Sequence, residues 1–201
     1  DRFGIKPFCF TTIGEMFVAG SEIKQFTAIP GFVPRLNNKL AFDYLYGGKI
    51  TETSVSFFEG VQYLQAGHQL LYDLNKHSYS IEKWYDVNSI KVNKNISFPE
   101  ASKHFKEFLT ESVLLHTHSN LPMAACLSGG LDSTSIVGVA KEIDTQVDTF
   151  STCIVQSPYN EIEYINEATL KYGFTNHKIY PVINDLGTNR LLRTIIYHQD
   201  Q

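Results

Sequence analysis

The sequence predicts an α/β chain whose second half is a parallel sheet covered by helices, preceded by a smaller α+β region. Three observations predict it. From residue 123 onward, apolar strand-like runs alternate with helical ones, and such alternation packs as parallel strands joined by right-handed crossovers. The small-residue turn Ser128-Gly129-Gly130-Leu131-Asp132-Ser133 separates the first of those strands from the first helix. Just ahead, Ser97-Phe98-Pro99-Glu100 has the form of a capping box with Pro in the first turn, a helix-opening signal.

Residues 8–12 and 16–20 flank Ile13-Gly14-Glu15 and read as a hairpin. A short helix follows from Ser21, with Ser21 as its cap, ending before Ile29-Pro30-Gly31. A second helix fits 39–46 and is closed by Gly47-Gly48. Residues 61–64, 69–74 and 79–84 alternate as strands of one small sheet, and the polar stretch 85–95 reads as a linker. The helix opened by Ser97 runs to about His116. Phe98, Ala101, Phe105, Phe108, Leu109, Ser112 and Val113 give it an apolar face at helical spacing. The aromatic members Phe98, Phe105 and Phe108 are expected in the core. Then come strand 123–127, helix 133–142, strand 149–155, helix 161–172 stopped by Gly173, and strand 177–180. A last helix starts near Asn184-Asp185 and runs to His198.

A chain of 201 residues forms one large domain or parts of two, and 43% hydrophobic content supports a sizeable core. A net charge of −4 gives no general nucleic-acid footprint. No long uncharged apolar run marks a membrane span, and no signal-peptide pattern is visible. The three widely spaced cysteines form neither a disulfide framework nor a zinc pattern. Cys126 and Cys153 fall in apolar runs and are expected to be buried thiols, which suits a reducing cytoplasm.

The turn at residues 128–133 carries the chemistry. The first N–H groups of a helix have no partner within it, and the helix dipole adds about half a positive charge there. Phosphate binds such ends. Gly129 and Gly130 permit close backbone approach and φ > 0, while Ser128 and Ser133 offer hydroxyl donors. Asp132 repels phosphate unless Mg²⁺ sits between them, as Mg²⁺ bridges carboxylate and phosphate oxygens. The turn lacks the Gly-Lys-Ser/Thr of the better-known phosphate loop. The plain alternatives are an ordinary Gly-rich turn and, for Asp132, a helix-capping acid. In parallel sheets ligands bind beyond the C-terminal strand ends, where this turn and the segment after 149–155 both fall.

The turn resembles the pyrophosphate loop of the ATP pyrophosphatases, which cleave ATP to AMP and pyrophosphate while adenylating a substrate. The rest of the chain narrows the group. Asp1-Arg2-Phe3-Gly4-Ile5-Lys6-Pro7-Phe8 and Val18-Ala19-Gly20-Ser21-Glu22-Ile23-Lys24 resemble the end of the glutaminase domain of glutamine-hydrolysing asparagine synthetases. Phe58-Glu59-Gly60-Val61, Leu64 and Ala66-Gly67-His68 resemble that family's next run, with Ala66 where the family has Pro. Phe150-Ser151-Thr152, Asn160-Glu161 with Glu163-Tyr164, His177, and Ile196-Tyr197-His198-Gln199-Asp200 continue the pattern, with Asn160 in place of Asp. The resemblance implies an adenine nucleotide alpha hydrolase-like, Rossmann-like ATP pyrophosphatase half-domain preceded by an α+β remnant of an Ntn-type glutaminase. It places the end of the glutaminase domain at 1–84, a linker at 85–96 and the first part of the synthetase domain at 97–201. The family's nucleophilic Cys and glutamine site would precede residue 1. Its Ser-Gly-Glu-Gly-x-Asp-Glu loop and catalytic Lys would follow residue 201. An internal fragment, inactive by itself, is therefore expected.

The implied parent makes asparagine from aspartate, ATP and glutamine-derived ammonia, through a β-aspartyl-AMP intermediate, without nucleic-acid or membrane partners. Asp132 is the implied catalytic residue and Mg²⁺ ligand. Leu127, Ser128, Gly129, Gly130, Asp132, Ser133 and Thr152 are the implied ATP contacts, with Leu127 and Thr152 acting through their backbone. A homodimer is left open. A β-lactam synthetase-like relative acting on another carboxylate, and a non-catalytic scaffold, are the rival readings. Glu161 reads first as a favourable acid at a helix start. His116 and His118 fall at a helix end, where cationic His suits the dipole, and His177 reads as structural. Asn95-Ile96-Ser97 is a glycosylation sequon with no meaning in a cytosolic protein.

Overall fold

The computed structural model describes residues 1–48, 54–143, 145–154, 160–181 and 185–199. The chain divides into two compact units, Asp1–Val92 with Leu186–Gln201, and Asn93–Asp185.

In the first unit β1 (Cys9–Ile13) and β2 (Met16–Gly20) form the expected hairpin, turned at Gly14 with φ 58°. β3 (Gln62–Tyr63) pairs with β1, giving the order β2-β1-β3. The short helix is a 3₁₀ helix over Ile23–Ala28, preceded by Glu22, whose side chain makes no cap bond. Ser21 is therefore not the cap. A three-residue turn eclipses side chains at i and i+3, which suits Ile23 and Phe26: both are buried, with Cys9 and Val61, in the unit's core. α1 (Asn38–Gly47) is capped by Asn37, whose Oδ1 accepts from Leu40 N at 3.1 Å, and ends at Gly48 with φ 64°. β4 (His68–Asp73) and β5 (Ser78–Lys83) make a two-stranded sheet of their own. The single small sheet expected from the sequence is thus two, because the run at 61–64 completes the hairpin's sheet instead.

The second unit opens with α2 (Phe98–Thr117), capped by Ser97, whose Oγ accepts from Glu100 N at 3.4 Å. Three parallel strands follow, β6 (Met123–Cys126), β7 (Val147–Thr152) and β8 (Asn176–Ile179), in the order β6-β7-β8. The connecting helices are α3 (Leu131–Glu142) and α4 (Ile162–Tyr172), the latter closed by Gly173 at φ 65°. Leu127, Val137, Cys153, Ile165 and Ala168 form the core between sheet and helices. α3 and α4 run close together: a Cβ added to Gly138 would lie 3.0 Å from Tyr172 Cζ. α5 (Asp185–Gln199) groups with the first unit, where Lys24 Nζ donates to Tyr197 O at 2.8 Å and lies 4.9 Å from the Tyr197 ring centre. The expected strand end at Val155, the helix start at Asn184, and Asp200 of the terminal motif lie outside the described residues.

Two burial expectations are corrected. Phe98, Phe105 and Phe108 are 86%, 67% and 68% exposed. α2 packs on α3 through Leu109 and Val113 against Val139 and Ala140, and Lys106 Nζ meets Glu142 Oε2 at 2.9 Å where α3 ends. Residues 98–105 therefore precede the stretch of α2 that has a helix to pack on. Phe108 projects about 140° round the helix from Val113, at 3.6 residues per turn. Cys126 is exposed, unlike Cys153, and all three cysteines are free. Strand side chains alternate between faces, and it is Ala125 and Leu127 that join the core beneath the helices, leaving Cys126 on the other face. No helix among the described residues is long and apolar enough to cross a membrane.

Candidate functional site

β6 ends at Cys126, and Leu127 extends the ladder by one bond, its N–H donating to Phe150 O at 2.8 Å. Leu127 is 1% exposed, so a fully buried side chain anchors the strand end while the chain turns outward. Gly129 makes that turn at φ 88°. Its missing Cβ leaves room for α4 rather than for a ligand: an added Cβ would stand 3.1 Å from both Glu161 O and Tyr164 Cβ. Gly130 is extended (φ −70°, ψ 164°) and serves as N-cap of α3 without any side-chain cap bond. The expectation that both glycines bare the backbone for a phosphate is thus refined at Gly129, whose role is the turn and the packing.

The loop is held by its two serines. Ser133 Oγ accepts from Ser128 N at 3.2 Å and lies 3.0 Å from Ser128 Oγ. Ser128 Oγ accepts from Gly130 N at 3.2 Å, and Ser133 Oγ lies 3.3 Å from Gly130 O. The bonds close residues 128–133 into a compact turn at the start of α3. Its N-cap, Gly130, has no side chain to cap the helix, so among the described residues its leading N–H groups keep their capacity for an anion. Asp132 stands exposed in the first turn.

The C-terminal ends of the three strands open onto a cleft of about 550 Å³, lined by Cys126, Leu127 and Ser128, by Phe150, Ser151, Thr152 and Ile154, by Asn160 and Glu161 before α4, and by Ile179. Leu127, Ser128 and Thr152 thus share one cleft. Gly129, Gly130, Asp132 and Ser133 lie beside it in the loop and the first turn of α3. The donor set suits a nucleotide with its phosphate tail toward α3: a helix start for the anion, the Asp132 carboxylate beside the cleft with Glu161 in its lining, and a strand-end wall carrying Phe150 and Ile179. One carboxylate fits Mg²⁺, which keeps several waters and takes phosphate oxygens as further ligands. Among the described residues no group of three or more His, Cys, Asp or Glu gathers as a protein-only metal cage. His116 Nδ1 lies 2.7 Å from Ser112 O within α2. His177 stacks on Phe150 with ring centres 4.8 Å apart, and its Nε2 lies 3.7 Å from Asp148 Oδ2.

Sequence reasoning missed the polar ladder under the loop. Ser151 Oγ donates to Leu127 O at 2.6 Å, and Asn176 Nδ2 donates to Ser151 Oγ at 2.9 Å and to Thr149 Oγ1 at 3.0 Å. Thr149 Oγ1 donates in turn to Thr175 O at 2.8 Å. The signal lay in period two: Thr149 and Ser151 are the buried positions of β7, and small hydroxyls on a buried strand face call for partners.

Comparison with known proteins identifies the family. The family model described as a glutamine amidotransferase domain matches residues 1–85, and the one described as asparagine synthase matches residues 104–201. The chain is 30% identical over 188 residues to the putative asparagine synthetase [glutamine-hydrolyzing] 2 of Methanocaldococcus jannaschii, covering 90% of this chain and 35% of that protein. It is 27% identical over 194 residues to asparagine synthetase [glutamine-hydrolyzing] 3 of Bacillus subtilis, covering 89% of this chain and 31% of that protein. It is also 30% identical over 147 residues to amidase chry2 of Gibberella zeae, covering 73% of this chain and 21% of that protein. The chain spans about a third of the length of the first two of these relatives. An amidotransferase match followed by a synthetase match, with asparagine synthetase relatives aligned across both, shows that the chain belongs to the glutamine-hydrolysing asparagine synthetase family.

Proposed function

We propose that this chain is part of an ATP-dependent amidotransferase that makes asparagine from aspartate with glutamine as nitrogen donor, through β-aspartyl-AMP and release of pyrophosphate. The observation that carries the reading is the serine-closed turn at residues 128–133, set at the C-terminal end of β6 and leading into α3 beside the strand-end cleft. In this reading residues 1–84 are the end of the glutaminase domain, 85–96 a linker and 97–201 the first part of the synthetase domain. The three free cysteines suit a reducing cytoplasm. Self-association as a homodimer is compatible with the reading and is checked by sedimentation.

The chain's own residues divide the work. The leading N–H groups of α3 and the dipole behind them take up negative charge on the phosphate tail, as preorganised donors that need no rearrangement. Ser128 and Ser133 keep the loop closed around that position. Leu127 and Thr152 contact the nucleotide through their backbone at the strand ends. Asp132 holds Mg²⁺ in the first turn of α3. The ion, when bound, neutralises phosphate charge and favours departure of pyrophosphate. Positioning and charge stabilisation carry most of the acceleration in such transfers. By itself the chain is proposed to bind nucleotide weakly and not to turn over.

A second reading, with a carboxylate other than aspartate as acceptor, is kept because the chain also matches amidase chry2, whose name is not that of an asparagine synthetase. ATP–pyrophosphate exchange in the protein encoded by the complete reading frame separates the two. Exchange that depends on aspartate supports the first reading. Exchange that ignores aspartate and responds to another carboxylate supports the second, and absence of exchange with any carboxylate overturns both.

A further inference from the structure

We propose that Asn176 is a positioning residue for the loop at 128–133, acting through Ser151 to fix the plane of the peptide that joins Leu127 to Ser128. An amide nitrogen only donates. Asn176 Nδ2 donates to Ser151 Oγ at 2.9 Å and to Thr149 Oγ1 at 3.0 Å. Each hydroxyl has a single proton, so each must send it elsewhere. Ser151 sends its proton to Leu127 O at 2.6 Å and Thr149 to Thr175 O at 2.8 Å. The reversed amide would set an acceptor against both hydroxyls and draw their protons off those carbonyls. The other end of the Leu127–Ser128 peptide is also held, because Ser128 N donates to Ser133 Oγ at 3.2 Å. A peptide fixed at C=O and N–H sets the direction in which the loop leaves the sheet. Ser151 is 3% exposed, so water does not replace the bond. The arrangement has a cost: among the described residues Asn176 Oδ1 is buried without a hydrogen-bond partner, and an unsatisfied buried acceptor destabilises. Retaining that cost is reasonable if donation toward the loop is what the amide is for.

This inference rests on the reading of the loop as a phosphate site, and the test separates the two. Amide hydrogen exchange is followed residue by residue in the wild-type chain and in Asn176→Asp, Ser151→Ala and Ser151→Thr, alongside titration with MgATP. Asn176→Asp and Ser151→Ala should speed exchange at Ser128 N–H by about 10-fold beyond any change at the core amides of Val139 and Ile165, as a local opening does. Both should weaken MgATP binding by a similar factor. Ser151→Thr, which keeps the hydroxyl, should restore both readouts. Ser151→Ala carries the test if Asn176→Asp does not fold. Uniform acceleration at all amides, or an unchanged Ser128 in Ser151→Ala, overturns the positioning role. If the wild-type chain binds no MgATP while Ser128 still responds selectively, the phosphate reading fails and the fixing of the peptide plane stands.

Discussion

Gly129 and Tyr164 lie so close that one further carbon between them is crowded: a Cβ on Gly129 falls 3.1 Å from Tyr164 Cβ. The same glycine sits at φ 88°, which L side chains rarely adopt. Gly129→Ala therefore meets backbone strain and crowding together, at a cost of about 1–3 kcal/mol for the strain alone. Thermal unfolding should show a lowered midpoint, and MgATP titration a weakened or lost response. An unchanged midpoint would mean that the loop relaxes freely and does not hold its shape against α4.

Asp132→Ala separates stability from chemistry. An exposed acid in a first helical turn contributes about 0.3–1 kcal/mol, so the melting temperature should move little. In the protein encoded by the complete reading frame, ATP–pyrophosphate exchange should collapse while glutaminase activity largely survives. Exchange persisting near the wild-type rate would remove Mg²⁺ from this carboxylate.

Leu127→Ala tests the anchor at the strand end. The side chain is 1% exposed and packs with Val137, Cys153, Ile165 and Ala168. Truncation of a buried Leu costs about 2–5 kcal/mol, measurable as a shift of the denaturant midpoint. A loss below about 1 kcal/mol, the scale of an ordinary substitution, would mean that the core closes over the gap.

Lys83 sits with Nζ 2.7 Å from Asp86 Oδ2, and Asn88 N donates to Asp86 Oδ1 at 2.9 Å. The lysine, and then the amide, hold the Asp86 carboxyl below its ordinary value of 3.8. A depressed folded-state pKa contributes stability above the unfolded value, and that contribution is lost as pH falls through the folded value. NMR titration should place the Asp86 midpoint below 3.8, and Lys83→Ala should raise it. A midpoint indifferent to Lys83 would remove the lysine as the leading cause.

Much of this was legible in residue order. Small residues between an apolar run and a helical one located the turn at 128–133, and Ser97 with Glu100 located the start of α2. The hydroxyl–amide ladder was not legible, because Ser151 and Asn176 are 25 residues apart and meet only when β7 and β8 pair. The burial of Phe98 and Phe105 was overestimated for a different reason. Helical spacing tells which residues share a face but not how far the partner helix extends, and α3 stops opposite Lys106. Cys126 was misplaced because an all-apolar run does not say which face each residue takes. Ser21 was read as a cap because composition does not distinguish a 3₁₀ turn from an α-helix.

α4 is met twice by glycines earlier in the chain, at Tyr164 by Gly129 in the turn before α3 and at Tyr172 by Gly138 within α3. The two tyrosines stand about 12 Å apart along α4 at 1.5 Å rise per residue. At both points a side-chain carbon would be crowded, so it is glycine that lets α4 lie this close. A side chain added at Gly138 therefore pushes on the same helix that the turn at Gly129 packs against.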